Sequence, residues 1–224
     1  MEITLNFYST NYIYQTSIAI VTTPFKCKNN EQIQLATKNI NELKKMCDGV
    51  VVISNEKLSD ITDSKADPKD NIESFDTILA SAVNGISSIF LSHSEFDINI
   101  DFADIITVMS SVECFLTGIG EAQGNKAAQE ALKSAMQSPL LDDMDIKGAM
   151  GAIVHFTIHP DCPMSDMTEA MQIIEAAADP DADIFWGTKC DETMPIDKVL
   201  VTLMVTDFFD NVFKLQQKIA LAKA

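Results

Sequence analysis

Between Ile72 and His93 the chain places Phe75, Ile78, Leu79, Ala82, Val83, Ile86, Ile89 and Phe90 nearly all round a helix. A helix apolar on most of its sides lies between two layers and belongs to both. It therefore needs something to bury against before it in the chain and something after it. No stretch reaches eighteen apolar residues, so no segment reads as a membrane span. With 46% apolar residues in 224, the chain can bury a substantial core as one large domain or two small ones.

Before the helix, Ile3, Leu5 and Phe7 alternate, and Tyr12 to Val21 is rich in strand formers. Ser9-Thr10-Asn11 between them supplies turn residues, which predicts a hairpin over 2–21. Ile33, Leu35, Ala36, Ile40, Leu43 and Met46 recur at helical spacing over 31–47. Val50-Val51-Val52-Ile53 is continuously apolar, as in a strand buried on both faces. This order predicts one βαβ unit. Asn55 to Asn71, polar and containing Pro68, reads as a loop.

After the helix, the spacing predicts a helix to about Glu113, a strand over 114–121 and a helix over 125–138 stopped by Pro139. Strands follow over 148–159, 183–190 and 198–206, with a helix over 165–178. Residues 207–224 read as an amphipathic helix, with Phe208, Val212, Leu215 and Ile219 on one stripe. Packing is its simplest role, with a membrane or partner contact as the alternative.

The formal net charge of −17 argues against nucleic acid as a partner, since that recognition rests on Lys and Arg neutralising phosphates. The first residues, Met1-Glu2-Ile3-Thr4, show no basic region or cleavable apolar run, so the expectation is a cytoplasmic protein without a signal peptide. Five widely spaced cysteines, Cys27, Cys47, Cys114, Cys162 and Cys190, form no C-x-x-C pair and read as free buried thiols. His155 and His159 are four apart on a predicted strand, roughly 13 Å at about 3.3 Å per residue, too far for one metal. Asp142-Asp143-Met144-Asp145 reads as a solvated turn or helix start, because a calcium loop needs alternating ligands and a glycine.

Two aspartates stand at the mouth of a predicted helix, in Asn99-Ile100-Asp101-Phe102-Ala103-Asp104, ahead of Ile105-Ile106-Thr107-Val108-Met109. One acidic residue there is an ordinary cap, satisfying free N–H groups at the positive end of the helix dipole. The pair is more than a cap requires.

Four stretches resemble FtsZ, the bacterial tubulin-like cell-division GTPase family. Ile18-Ala19-Ile20-Val21-Thr22-Thr23-Pro24-Phe25 is similar to the strand entering its ribose-contacting loop. Ile53-Ser54-Asn55-Glu56-Lys57-Leu58 is similar to Pro-Asn-Asp-Lys-Leu. Asn99 to Met109 resembles the synergy loop, Asn-Val-Asp-Phe-Ala-Asp-Val-Arg-Thr-Val-Met. Ser138 to Ala149 resembles Ser-Pro-Leu-Leu-Glu-Asp-Ile-Asp-Leu-Ser-Gly-Ala. The likeness is collinear from about residue 17 to 206.

The resemblance implies an α/β (α+β) fold with a residual βαβ piece of a nucleotide domain, a long central helix, and a mixed sheet flanked by helices. The implied division is 1–71 as the nucleotide-domain remnant with the hairpin, 72–98 as central helix and loop, 99–206 as the activation domain, and 207–224 as a closing helix. It implies that Asp101 and Asp104 polarise the water attacking a neighbouring subunit's γ-phosphate, with Asn99 shaping the loop. A carboxylate can orient or deprotonate water beside a triphosphate.

The same comparison marks departures. The family's glycine-rich phosphate loop, which presents backbone N–H groups to phosphate, has no counterpart among these eight glycines. The ribose-contacting Glu and Arg align with Lys28 and Gln32, and the guanine-reading Asn-Asp pair with Leu79 and Ala80. Losing an Asp that accepts from the base removes a charge-assisted bond and its discrimination. The expectation is a chain that holds no GTP by itself and no metal, with GTP and Mg only in a composite site. Three functions stand open. One is a module that binds, caps or modulates FtsZ filaments. The second is a half-GTPase completed by self-association or by a separate N-terminal half. The third is a scaffold relic. The hairpin is expected to cover an otherwise open sheet edge.

Overall fold

The computed structural model describes residues 2–8, 15–23, 30–54, 68–91, 97–110, 115–141, 146 and 149–206. The elements are β1 Glu2–Tyr8, β2 Gln15–Thr23, α1 Asn30–Met46, β3 Gly49–Ser54, α2 Pro68–Leu91, α3 Phe102–Ser110, β4 Phe115–Gln123, α4 Ala127–Met136, β5 Gly151–Ile158, α5 Met164–Ala177, β6 Asp183–Cys190 and β7 Lys198–Thr206. The acidic run 142–145 and the closing helix expected over 207–224 lie outside the described residues. The long helix starts at Pro68, within the stretch read as a loop. Proline's fixed φ and missing N–H suit the first helical position, so its presence there opens the helix.

One seven-stranded sheet has the order β1-β2-β3-β4-β7-β5-β6. Strands β2 and β3 are parallel across α1, the expected βαβ unit. Val51 of β3 faces Phe115 of β4, again in parallel. β7 runs antiparallel between β4 and β5, and β5 is parallel to β6. At the other edge β1 pairs antiparallel with β2, Glu2 opposite Val21 and Tyr8 opposite Gln15.

The period of two along the strands sorts side chains to the two faces. Ala152, Val154, Phe156 and Ile158 of β5 and Val199, Val201, Leu203 and Val205 of β7 pack under α4 and α5. The opposite face of the sheet, with Ile18, Ile20, Phe115, Ile153 and Met204, lies under α2 and α3. Ala19, Val21 and Val50 are covered by Ile40 and Leu43 of α1 and by Cys47 just after it. Each such aliphatic side chain, fully buried, contributes about 1.5–3 kcal/mol.

Two expectations about helix faces need correction. Leu35 and Met46 of α1 are 58% and 78% exposed, because the sheet meets only the stripe of Ile40, Leu43 and Cys47. Nor is α2 enclosed on all sides. Leu79, Ala82, Ile86, Ile89 and Phe90 are buried, whereas Thr77, Ala80, Ser81, Asn84 and Leu91 are exposed. It spans the sheet instead. Leu79 packs in one core with Ile18, Ile20, Val51 and Ile53, and further along Ser88 reaches His155 of β5.

Candidate functional site

The acidic segment is built outward from the edge of the sheet. Thr188, buried in β6, grips both polar groups of Ile98. Its N–H donates to the Ile98 carbonyl at 2.9 Å, and its Oγ1 accepts from the Ile98 N–H at 2.9 Å. Cys190 N–H donates to Asp97 Oδ1 at 2.7 Å. These bonds satisfy amides on the free side of β6 and cover that edge.

From this anchor exposure alternates along the chain. Ile98 and Ile100 are half-buried; Asn99 and Asp101 are exposed. Asp101 then opens α3. Its carbonyl accepts from the N–H groups of Asp104 and Ile105 at 3.0 and 3.1 Å, and its Oδ1 accepts from Ala103 N–H at 3.1 Å. Asp101 is therefore a true N-cap, as the simpler reading of that residue required. Asp104 stands half-buried in the first turn, and no hydrogen bond or ion pair among the described residues holds its carboxylate. Phe102 packs edge-on against Phe90 of α2, with ring centroids 6.1 Å apart. The segment is thus pinned to β6 at one end and to α2 at the other.

The other residues singled out from the sequence lie elsewhere in the fold. Lys28 and the side chain of Gln32 are outside the described residues. Leu79 is 5% exposed and packs in the core between α2 and the sheet. Ala80 is exposed. The ends of β2 and β3, where the ribose-contacting likeness lies, are five and four strands from β6. At about 4.8 Å per strand that is roughly 24 and 19 Å.

His155 and His159 do not converge. His155 is buried in β5 with Nδ1 3.4 Å from Ser88 Oγ, and His159 Nδ1 accepts from Asp161 N–H at 3.1 Å. Burial pulls His155 down to about 4, partly opposed by the nearby negative charge of Asp97 and reinforced by Lys189. Cys47, Cys162 and Cys190 form no disulfide, and of these three only Cys162 is buried; Cys27 and Cys114 lie outside the described residues. Burial and Asp97 push the Cys190 thiol up. Among the described residues no group of three or more His, Cys, Asp or Glu could hold a metal ion, and no helix is long and apolar enough to cross a membrane.

Sequence reasoning singles out Asn99, Asp101 and Asp104 but passes over Asp97, Gly187 and Thr188, which hold them. Their link is between segments about ninety residues apart, so no local pattern announces it.

Comparison with known proteins follows the same outline. Residues 114–209 match the model of the FtsZ family, C-terminal domain. The cell division protein FtsZ of Helicobacter pylori strain J99 is 39% identical over 190 residues, covering 85% of this chain and 49% of that protein. FtsZ of Aquifex aeolicus is 31% identical over 202 residues, covering 90% and 54%. An empty FtsZ dimer from M. jannaschii superposes with TM-score 0.75 at 35% identity, over 85% of this chain and 54% of that one. CetZ from Methanosaeta thermophila, at 15% identity and TM-score 0.68, covers 92% of this chain and 56% of that one and shares the fold alone. The chain spans about half the length of the curated relatives it matches.

Proposed function

Because the chain belongs to the FtsZ family, we propose that it is a cytoplasmic binding module that docks on an FtsZ subunit and presents Asp101 and Asp104 to the nucleotide face of that subunit. The observation that carries this reading is the placement of the pair. Asp101 is exposed and Asp104 half-buried where α3 begins, on a segment anchored to β6, which lies four strands from β3 and five from β2 in the sheet order. Groups so placed serve a neighbour's substrate before their own.

The chemistry fits a contribution in trans. Two carboxylates repel an unaccompanied polyphosphate, and no glycine-rich stretch in this sequence offers backbone N–H groups to one. Beside a triphosphate whose charge the partner neutralises, a carboxylate can orient the attacking water or take its proton. A chain that offers this loop without receiving the next subunit would cap or modulate a filament. GTP is then the partner's substrate.

The test is a complete FtsZ, such as the H. pylori relative, assembled with GTP in the presence of an equimolar amount of this protein. Phosphate release and pelleted polymer are expected to change at least twofold. Asp101→Asn with Asp104→Asn is expected to abolish the effect on phosphate release while the protein still pellets with FtsZ. Unchanged turnover and polymer mass with the unmodified protein would overturn the reading.

Self-association is the second reading, supported by the relative solved as a dimer. It predicts saturable GTP binding and turnover by this chain alone that rise with its concentration. A flat GTP titration up to millimolar nucleotide excludes it.

A further inference from the structure

The free edge of β6 does more than end the sheet. Thr188 bonds both backbone groups of Ile98, Asp97 takes the Cys190 N–H, and Gly187 leaves the space between them. A Cβ on Gly187 would stand 2.6 Å from the Ile98 carbonyl oxygen and 2.7 Å from Ile100 Cγ1, closer than real Cβ atoms come. The acidic segment is therefore seated on backbone, at one height and in one register.

Register matters here because exposure alternates residue by residue as far as Asp101. Ile98 and Ile100 face inward and Asn99 and Asp101 outward. A slip of one residue exchanges those two sets. It would turn Asp101 toward the core, expose Ile100, and carry the N-cap of α3 out of place. Only two residues separate the Thr188 grip on Ile98 from Asp101, so little chain is left to absorb an error. Phe102 against Phe90 fixes the far side but leaves the near side to β6.

We propose that Asp97, Gly187 and Thr188 are positioning residues that set the register in which Asn99, Asp101 and Asp104 are presented. This rests on the trans-acting reading for its functional meaning, but its structural half stands apart from any partner. Thr188 supplies the one side-chain acceptor for the Ile98 amide, and Thr188→Val removes it while nearly keeping the shape. Thr188→Ser keeps the hydroxyl. Asp97→Asn keeps an oxygen for the Cys190 amide but loses the charge that strengthens the bond.

Amide hydrogen exchange on the whole protein, followed by mass spectrometry, tests the structural half. Thr188→Val is expected to speed exchange of peptides spanning 97–105 at least tenfold, with peptides from α4 and α5 unchanged and Thr188→Ser close to wild type. Gly187→Ala serves as a second variant should Thr188→Val fail to fold, with the same expected pattern. Unaltered exchange over 97–105 in whichever variant folds overturns the proposal. The functional half uses the FtsZ phosphate-release assay. Thr188→Val is expected to match the Asp101→Asn/Asp104→Asn protein while still pelleting with FtsZ, and Thr188→Ser to restore the effect. If wild type itself leaves FtsZ unchanged, the trans-acting reading fails, and exchange alone decides the positioning role. If wild type acts and a loosened Thr188→Val acts equally well, positioning is overturned and the trans-acting reading survives.

Discussion

Gly120→Ala is expected to remove much of the chain's stability, on the order of 3 kcal/mol or more, at the upper end of what overpacking costs. On β4, Gly118 and Gly120 point at α4, whose facing residues are Ala131 and Ala135. A Cβ built on Gly120 would lie 2.0 Å from the Ala131 carbonyl oxygen and 2.3 Å from the Ala135 nitrogen. Both are helix backbone, which cannot rotate aside as a side chain would. The helix must lift, and Ala131, Leu132 and Ala135 would all lose contact with β4 and β7 at once. Total stabilities run about 5–15 kcal/mol, so the loss is a large fraction of the whole. The urea midpoint, read from the fluorescence of Trp186, the one tryptophan, is expected to fall by at least about 1 M. Glu121→Ala, next to it on the strand, removes only an exposed ion pair to Lys198 and is expected to cost under about 1 kcal/mol. Equal midpoints for Gly120→Ala and Glu121→Ala would show that α4 does not rest on β4 as described.

His155 is expected to make the fold acid-labile over a defined window. Its pKa falls from 6.5 to about 4, chiefly through burial. Between those values the unfolded chain binds a proton that the folded chain refuses, so stability rises with pH there and is lost as pH drops from about 6.5 to about 4. At 1.36 kcal/mol per pH unit the loss approaches about 3 kcal/mol by pH 4. Asp97 works against the shift by favouring the charged ring, and Lys189 works with it. His155→Leu is expected to flatten this part of the profile and leave the carboxylate-driven decline at lower pH. Ser88 keeps its bond to the Gly85 carbonyl at 2.7 Å in that variant. Urea midpoints at half-unit steps from pH 7 to pH 4 measure the slope, and identical slopes in the two proteins would assign it to other groups.

Much of the architecture is legible in local pattern. Val50-Val51-Val52-Ile53 has the composition of a strand buried on both faces, and β3 indeed lies inside the sheet with α1 on one face and α2 on the other. The strands over 183–190 and 198–206 begin and end where the alternation places them. Helix faces are harder. An apolar residue on a helix looks the same whether or not the sheet extends beneath it, so Leu35 and Met46 cannot be told from Ile40 and Leu43. Leu79, which aligns with a guanine-reading position of the family but departs from it, is buried in one core with Ile18, Ile20, Val51 and Ile53, a placement that only the position of α2 on the sheet gives.

The chain by itself determined the order of strands and helices, the family likeness, and the acidic pair at the start of α3. These depend on residues within a few positions of one another, where helix and strand periods and capping chemistry act. Tertiary structure alone decided that the segment leading into Asn99, Asp101 and Asp104 is anchored to β6 through Asp97 and Ile98. The bonds responsible join residues 90 and 93 apart in sequence, Ile98 to Thr188 and Asp97 to Cys190. Backbone amides carry no residue identity, so two segments that meet through them leave no motif to read, and only the completed sheet brings them together.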